Sequence, residues 1–213
     1  MTRFLTRLSL VCATLSACAA TAGAADLTVT VTDAKGKPVV SAVVTFTPNG
    51  GATLSAADRA GPFTMAQKNI HFDPFVLAVP VGATVNFPNQ DRVNHHVYSF
   101  SPVQPFQFPL YGHGQTRSLK FEHEGTVALA CNIHDSMSAY VRVVATPYFA
   151  TTDATGHVSL TGLPETAGTL AVWQPLLDAP EHSVAKPVTL KGSAVQTFTV
   201  KIKPAPVAAS TAY

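Results

Sequence analysis

Gly125-Thr-Val-Ala-Leu-Ala-Cys131-Asn-Ile-His134-Asp-Ser-Met137 places a thiol, an imidazole and a thioether on one short loop, with two residues between each pair. Gly125 to Cys131 reads as a strand running into that loop, and Ala139 to Val144 as the strand leaving it. The chain has three cysteines, and the other two, Cys12 and Cys18, fall within the first 25 residues. A free cysteine is commonly a small buried hydrophobe. Here its neighbours are side chains of the ligating kind.

Working outward, the segment 63–145 is dense in short strands. Phe72 to Val81, Thr84 to Asn89, His95 to Phe100 and Ser118 to Phe121 each read as one, with turn residues between them. On the N-terminal side, Leu27-Thr-Val-Thr-Val-Thr alternates apolar and polar residues. Asp33-Ala-Lys-Gly36 turns the chain, and Val39 to Phe46 reads as the returning strand. Residues 49–62 are rich in Gly and Ala and read as a loop. After Thr146, Asp153-Ala-Thr-Gly156 repeats the Asp-x-x-Gly turn, followed by strands at His157 to Leu160, Thr169 to Trp173, Val188 to Leu190 and Val195 to Ile202. Leu163 to Gly168 reads as a loop, and Trp173 as core of this second unit. No stretch shows a capped 3.6-residue apolar period, so the expected fold is all-β.

The first 25 residues read as an export signal. Arg3 and Arg7 precede a short apolar run from Leu8 to Ala20, and Ala22-Gly-Ala24-Ala25 offers a small-residue cleavage site. The expected compartment is a bacterial periplasm. Leu15-Ser16-Ala17-Cys18 also resembles a lipobox; if it is used, Cys18 carries a lipid anchor and residues 19–26 form a tether. No later run is long and apolar enough for a transmembrane helix. The chain has 14 Lys and Arg against 12 Asp and Glu, and two of the arginines lie in the signal. The remainder is balanced and carries no electrostatic footprint for nucleic acid.

Six of the eight histidines, at 71, 95, 96, 113, 123 and 134, fall in residues 63–145. Thiolate and imidazole with a weak thioether are the ligand types of copper in electron transfer. Such a site needs a second imidazole from a neighbouring strand, and Asn94-His95-His96-Val97-Tyr98-Ser99-Phe100 is the best donor. Alternation along a strand puts His95 and His96 on opposite faces without choosing between them. His71, His113, His123, His157 and His182 read as surface or satisfied residues, and Asp135 as solvated or capping the loop. Other chemistries lack their parts. There is no Cys-x-x-Cys-His for haem, no paired cysteines for structural zinc and no glycine-rich phosphate loop. The Cys131–His134 pair lacks a group to orient it as a nucleophile.

These residues resemble the cupredoxin (blue copper) family, in its amicyanin- and plastocyanin-like branch. Gly82-Ala-Thr-Val85-x-Phe87-x-Asn89, His95-His96-Val97 and Gly125-Thr-x-x-x-x-Cys131 carry the likeness, and the Cys131, His134, Met137 spacing is that of amicyanin. The runs Asn89 to Phe100, Cys131 to Asp135 and Pro147 to Phe149 also resemble exported proteins called methylamine utilisation proteins. The resemblance implies one type 1 copper ion held by His95, Cys131 and His134, with Met137 axial. His96 and Asn132 would then tie the ligand strand to the ligand loop, with His96 the alternative ligand. It implies outer-sphere electron transfer rather than catalytic turnover. The partners would be redox proteins such as a periplasmic dehydrogenase or cytochrome, docking at an apolar patch that includes Pro102, Pro105, Phe106 and Tyr111. Copper delivery or storage, and a structural sandwich with a degenerate cupredoxin insert, are the alternatives.

Leu27 to Pro48 and Thr151 to Trp173 resemble the two halves of a transthyretin-like (carboxypeptidase-regulatory-like) sandwich. The expected layout is therefore a signal over 1–25, the first part of that sandwich over 26–62 and a cupredoxin Greek-key sandwich over 63–145. The second part follows over 146–203, and a tail over 204–213.

Overall fold

The computed structural model describes residues 23–204. The signal expected over 1–25, Cys18 included, and the tail expected over 204–213 therefore lie outside the described residues, save Gly23 to Ala25 and Pro204. Among the described residues, every regular element is a strand except one 3-10 turn at Pro180–His182. The strands are β1 (Ala24–Asp33), β2 (Val43–Pro48), β3 (Phe63–Thr64), β4 (Ala66–Lys68), β5 (His71–Asp73) and β6 (Val76–Pro80). Next come β7 (Thr84–Pro88), β8 (Val97–Ser99), β9 (Phe106–Gln107), β10 (Thr116–Lys120), β11 (Gly125–Cys131) and β12 (Ser138–Val144). The last are β13 (Phe149–Thr151), β14 (His157–Pro164), β15 (Ala167–Trp173), β16 (Ser183–Thr189) and β17 (Ala194–Val200). The all-β class expected from the sequence is the observed one. No described helix is long and apolar enough to cross a membrane.

Two sheets, ordered β14-β1-β17 and β13-β2-β15-β16, each draw strands from both ends of the chain. β1 shows why. Ala25, Leu27, Val29 and Val31 are buried while the residues between them face outward. That apolar face, with Leu160 and Leu163 beside it on β14, packs with Val44, Phe46, Leu170 and Val172 of the other sheet. Each such Val, Leu or Phe contributes roughly 1.5–3 kcal/mol by leaving water.

Residues between β2 and β13 build a second pair of sheets, β10-β7-β3 and β6-β12-β11-β8-β9. Their core is separate: Met65, Val85, Phe87, Val97, Phe121, Val127, Leu129 and Val141 pack with Cys131 and Met137. Phe87 lies against Phe106 and Phe108, with ring centroids 6.0 and 5.3 Å away.

Two expectations are corrected. Leu163 to Gly168 is not a loop: β14 runs on to Pro164 and β15 begins at Ala167. Gly162, at φ +67°, marks a bulge where the β1–β14 register shifts between Ala25 and Leu27. Glycine punctuates a strand there rather than ending it. Trp173 is likewise not core of the outer sandwich. Val172 faces that core, so its neighbour Trp173 faces the other way. It fills the seam between the two sandwiches with Val43, Val76, Ala78 and Val144. Tyr140 meets it edge-on at 6.2 Å, and the Arg142 guanidinium lies 5.4 Å from its ring.

Candidate metal centre

Cys131 is the last residue of β11 and pairs with Val97 of β8. His95 lies two residues before Val97, outside the ladder, in a two-way backbone bridge with Tyr111: each amide donates to the other's carbonyl at 3.1 Å. The six residues from Asn132 to Met137 then turn the chain into β12. The Met137 amide donates to the His134 carbonyl at 3.0 Å, tightening that turn.

These elements bring His95, Cys131 and His134 together. One ligating atom from each lies within 4.8 Å of the other two. The Cys131 sulfur is 3.6 Å from His95 Nδ1, and the two imidazole rings are 5.1 Å apart. His95 is fully buried and Cys131 is 3% exposed. His134 is half-buried, yet its Nδ1 is enclosed and has no hydrogen-bond partner. A buried ring nitrogen left unpaired is costly unless something occupies it. Together with a reduced, buried thiol, it makes the donor set of two imidazoles and one thiolate fit a soft or borderline metal ion. Met137 is buried in the same core as Cys131.

His95 is oriented by a residue to which the sequence reading gives no role. Asp91 Oδ2 lies 2.9 Å from His95 Nε2. Burial works to raise the Asp91 carboxyl, but the amides of Ile70 and Asn69 and the His95 ring outweigh it and hold it below its ordinary value. An ionised carboxylate only accepts, so Nε2 is the donor to Asp91 and Nδ1 is the ring nitrogen that faces the thiol. Asp91 stands four residues before His95, but its other partners come from a distant hairpin, so local spacing does not expose it.

His96 falls outside the group. It projects to the face opposite His95, its ring 6.2 Å from that of Tyr98, and its buried Nε2 has no partner. The strand and loop are tied by backbone, with the Asn132 amide donating to the His96 carbonyl at 3.0 Å. The Asn132 side chain is exposed.

Of the surface patch expected at Pro102, Pro105, Phe106 and Tyr111, the last is corrected. Tyr111 is 1% exposed. Its bridge to His95 turns the ring inward, where the hydroxyl donates to Gln67 and burial pushes its pKa up. The two prolines are exposed and Phe106 is half-buried. Ile133, beside His134 on the ligand loop, is 48% exposed.

No protein-family model matches the chain, and no curated protein does. Among solved structures, it is similar to a copper-containing nitrite reductase from Thermus scotoductus SA-01. That match has 30% identity over 39% of this chain and 22% of that one, with a TM-score of 0.38. It is also similar to a purple cupredoxin from Nitrosopumilus maritimus, at 26% identity over 38% of this chain and 99% of that one, TM-score 0.36. A variant of amicyanin in its reduced Cu(I) form matches at 26% identity over 47% of this chain and 98% of that one, TM-score 0.38. The chain thus spans 22% of the nitrite reductase's length, and each likeness covers less than half of this chain.

Proposed function

We propose that this chain carries single electrons between redox partner proteins, using one copper ion that His95, Cys131 and His134 would hold, with Met137 as a fourth donor. The observation that supports this most is the buried Cys131 thiol 3.6 Å from His95 Nδ1, with one ligating nitrogen of His134 within 4.8 Å of both residues' ligating atoms. Copper bound there would supply a one-electron couple between Cu(I) and Cu(II). The protein's part is to keep the ligands still. The bridge to Tyr111 and the Asp91 carboxylate fix His95, and the β8 pairing fixes Cys131. Burial excludes water from the thiol.

The proposed setting is the periplasm, from the Arg-led apolar start of the sequence, and the proposed partner is a dehydrogenase or cytochrome of that compartment. The proposed domain plan is a cupredoxin sandwich over 63–145, inserted into a transthyretin-like sandwich whose parts are 26–62 and 146–203.

Voltammetry of the copper-loaded full chain tests the reading. The expected result is a reversible one-electron wave of unchanged shape over repeated cycles. Uptake of Cu(I) alone, with release on oxidation, would instead identify a delivery or storage protein.

A further inference from the structure

The hairpin between β4 and β5 turns at Asn69 and Ile70, both with positive φ, at +54° and +57°. A two-residue turn with both residues left-handed suits Asn followed by Gly. Isoleucine is a poor choice there, because its branched Cβ crowds the backbone. Such strain persists only where the surroundings over-determine it.

They do so through one carboxylate. The Asn69 amide donates to Asp91 Oδ1 at 2.6 Å, and the Ile70 amide to Oδ2 at 3.0 Å. Oδ2 is also the oxygen that holds His95 Nε2. The hairpin is anchored a second time through Gln67 of β4. Its carbonyl accepts from the Gln90 amide at 2.9 Å, and its side chain accepts from the Tyr111 hydroxyl. Tyr111 in turn is bridged to the His95 backbone. The ring closes on itself: turn to Asp91 to His95 side chain, His95 backbone to Tyr111 to Gln67 and back to the turn.

We infer that the Asn69–Ile70 turn is a positioning device for the metal ligand His95: its two amides clamp the Asp91 carboxylate, which holds the imidazole with Nδ1 facing Cys131. Oxygen acceptors fixed in this way orient metal-binding imidazoles generally, and losing one typically lowers metal affinity 10- to 100-fold. The strained backbone at Ile70 is what brings the second amide to Oδ2. This inference rests on the copper reading above only for the identity of the metal.

The test compares Ile70→Pro with Ile70→Gly in the full chain. Both remove the isoleucine side chain, but only proline removes the backbone N–H and forbids the left-handed turn. Two quantities are read: the His95 tautomer in the metal-free chain by long-range proton–nitrogen NMR, and Cu(I) affinity by chelator competition. Ile70→Gly is expected to keep the Nε2-protonated tautomer and the natural affinity. Ile70→Pro is expected to lose the fixed tautomer and about 10-fold or more in affinity, approaching Asp91→Ala. A folded Ile70→Pro chain with the natural tautomer and affinity overturns the inference.

If Ile70→Pro does not fold, amide exchange decides. Protection of the Asn69 and Ile70 amides that falls in Asp91→Ala supports the clamp. Protection that is absent, or unchanged in Asp91→Ala, overturns it. Failure to take up Cu(I) at all would sink the electron-carrier reading, while tautomer and exchange still judge the hairpin.

Discussion

Replacing Cys131 with serine abolishes the intense visible absorption expected of the Cu(II)-loaded chain. The substitution is nearly isosteric, and the site around it is closed, with Cys131 at 3% exposure and His95 at 0%. The serine hydroxyl can still donate to His95 Nδ1, where the sulfur now stands at 3.6 Å. The metal-free fold should therefore lose no more than about 1–3 kcal/mol, the range for a buried polar group imperfectly paired. The chemistry changes far more. A neutral hydroxyl is a hard, weak donor where a soft thiolate stood, and the thiolate-to-copper transition has no counterpart. Cys131 is the one free cysteine among the described residues, so no neighbouring thiol substitutes for it. Absorption spectra of the natural and Cys131→Ser chains, each loaded with Cu(II), check this. A Cys131→Ser chain that keeps the band would place the metal elsewhere.

Phe46→Ala has the largest expected effect on stability. Phe46 is completely buried in the outer sandwich. Its ring lies against Gly168, where an added Cβ would come within 2.6 Å of Phe46 Cε2. The glycine exists to admit the ring, so truncation leaves a cavity that its neighbours cannot collapse to fill. The expected loss is about 3–5 kcal/mol. Cys131 and Met137 sit in a separate core, built from residues 65–143, and a cluster around Trp173 joins residues of both sandwiches. Urea unfolding of the copper-loaded chain should therefore show two steps. Phe46→Ala should move the first to lower urea and leave the loss of colour where it was. One step that carries backbone signal and colour together, displaced as a whole, would mean the two sandwiches unfold as one unit.

The all-β class was legible because its signals are local: alternation in Leu27-Thr-Val-Thr-Val-Thr, Asp-x-x-Gly turns, and no helical period. The grouping of Cys131 with His134 was legible for the same reason, since both sit on one loop. What the sequence hid was set by partners far along the chain. Asp91 matters because amides 21 and 22 residues earlier aim it. Trp173 reads as core by its size and neighbours, and only the packing of a second sandwich on its face reveals a seam. Tyr111 reads as an exposed aromatic until its bridge to His95 turns it inward. Leu163 to Gly168 looks like a loop because glycine and proline punctuate a bulge, a strand end and a loop alike. The tie between ligand strand and loop, expected from the His96 and Asn132 side chains, runs through their backbones instead, and sequence identity does not encode that choice.

X-ray absorption at the copper edge of the full chain, loaded with copper and washed free of excess, tests the central claim most directly. The account predicts one copper per chain, with a first shell of one thiolate sulfur and two imidazole nitrogens. A shell of nitrogen and oxygen alone, or a chain that retains no copper, would contradict it.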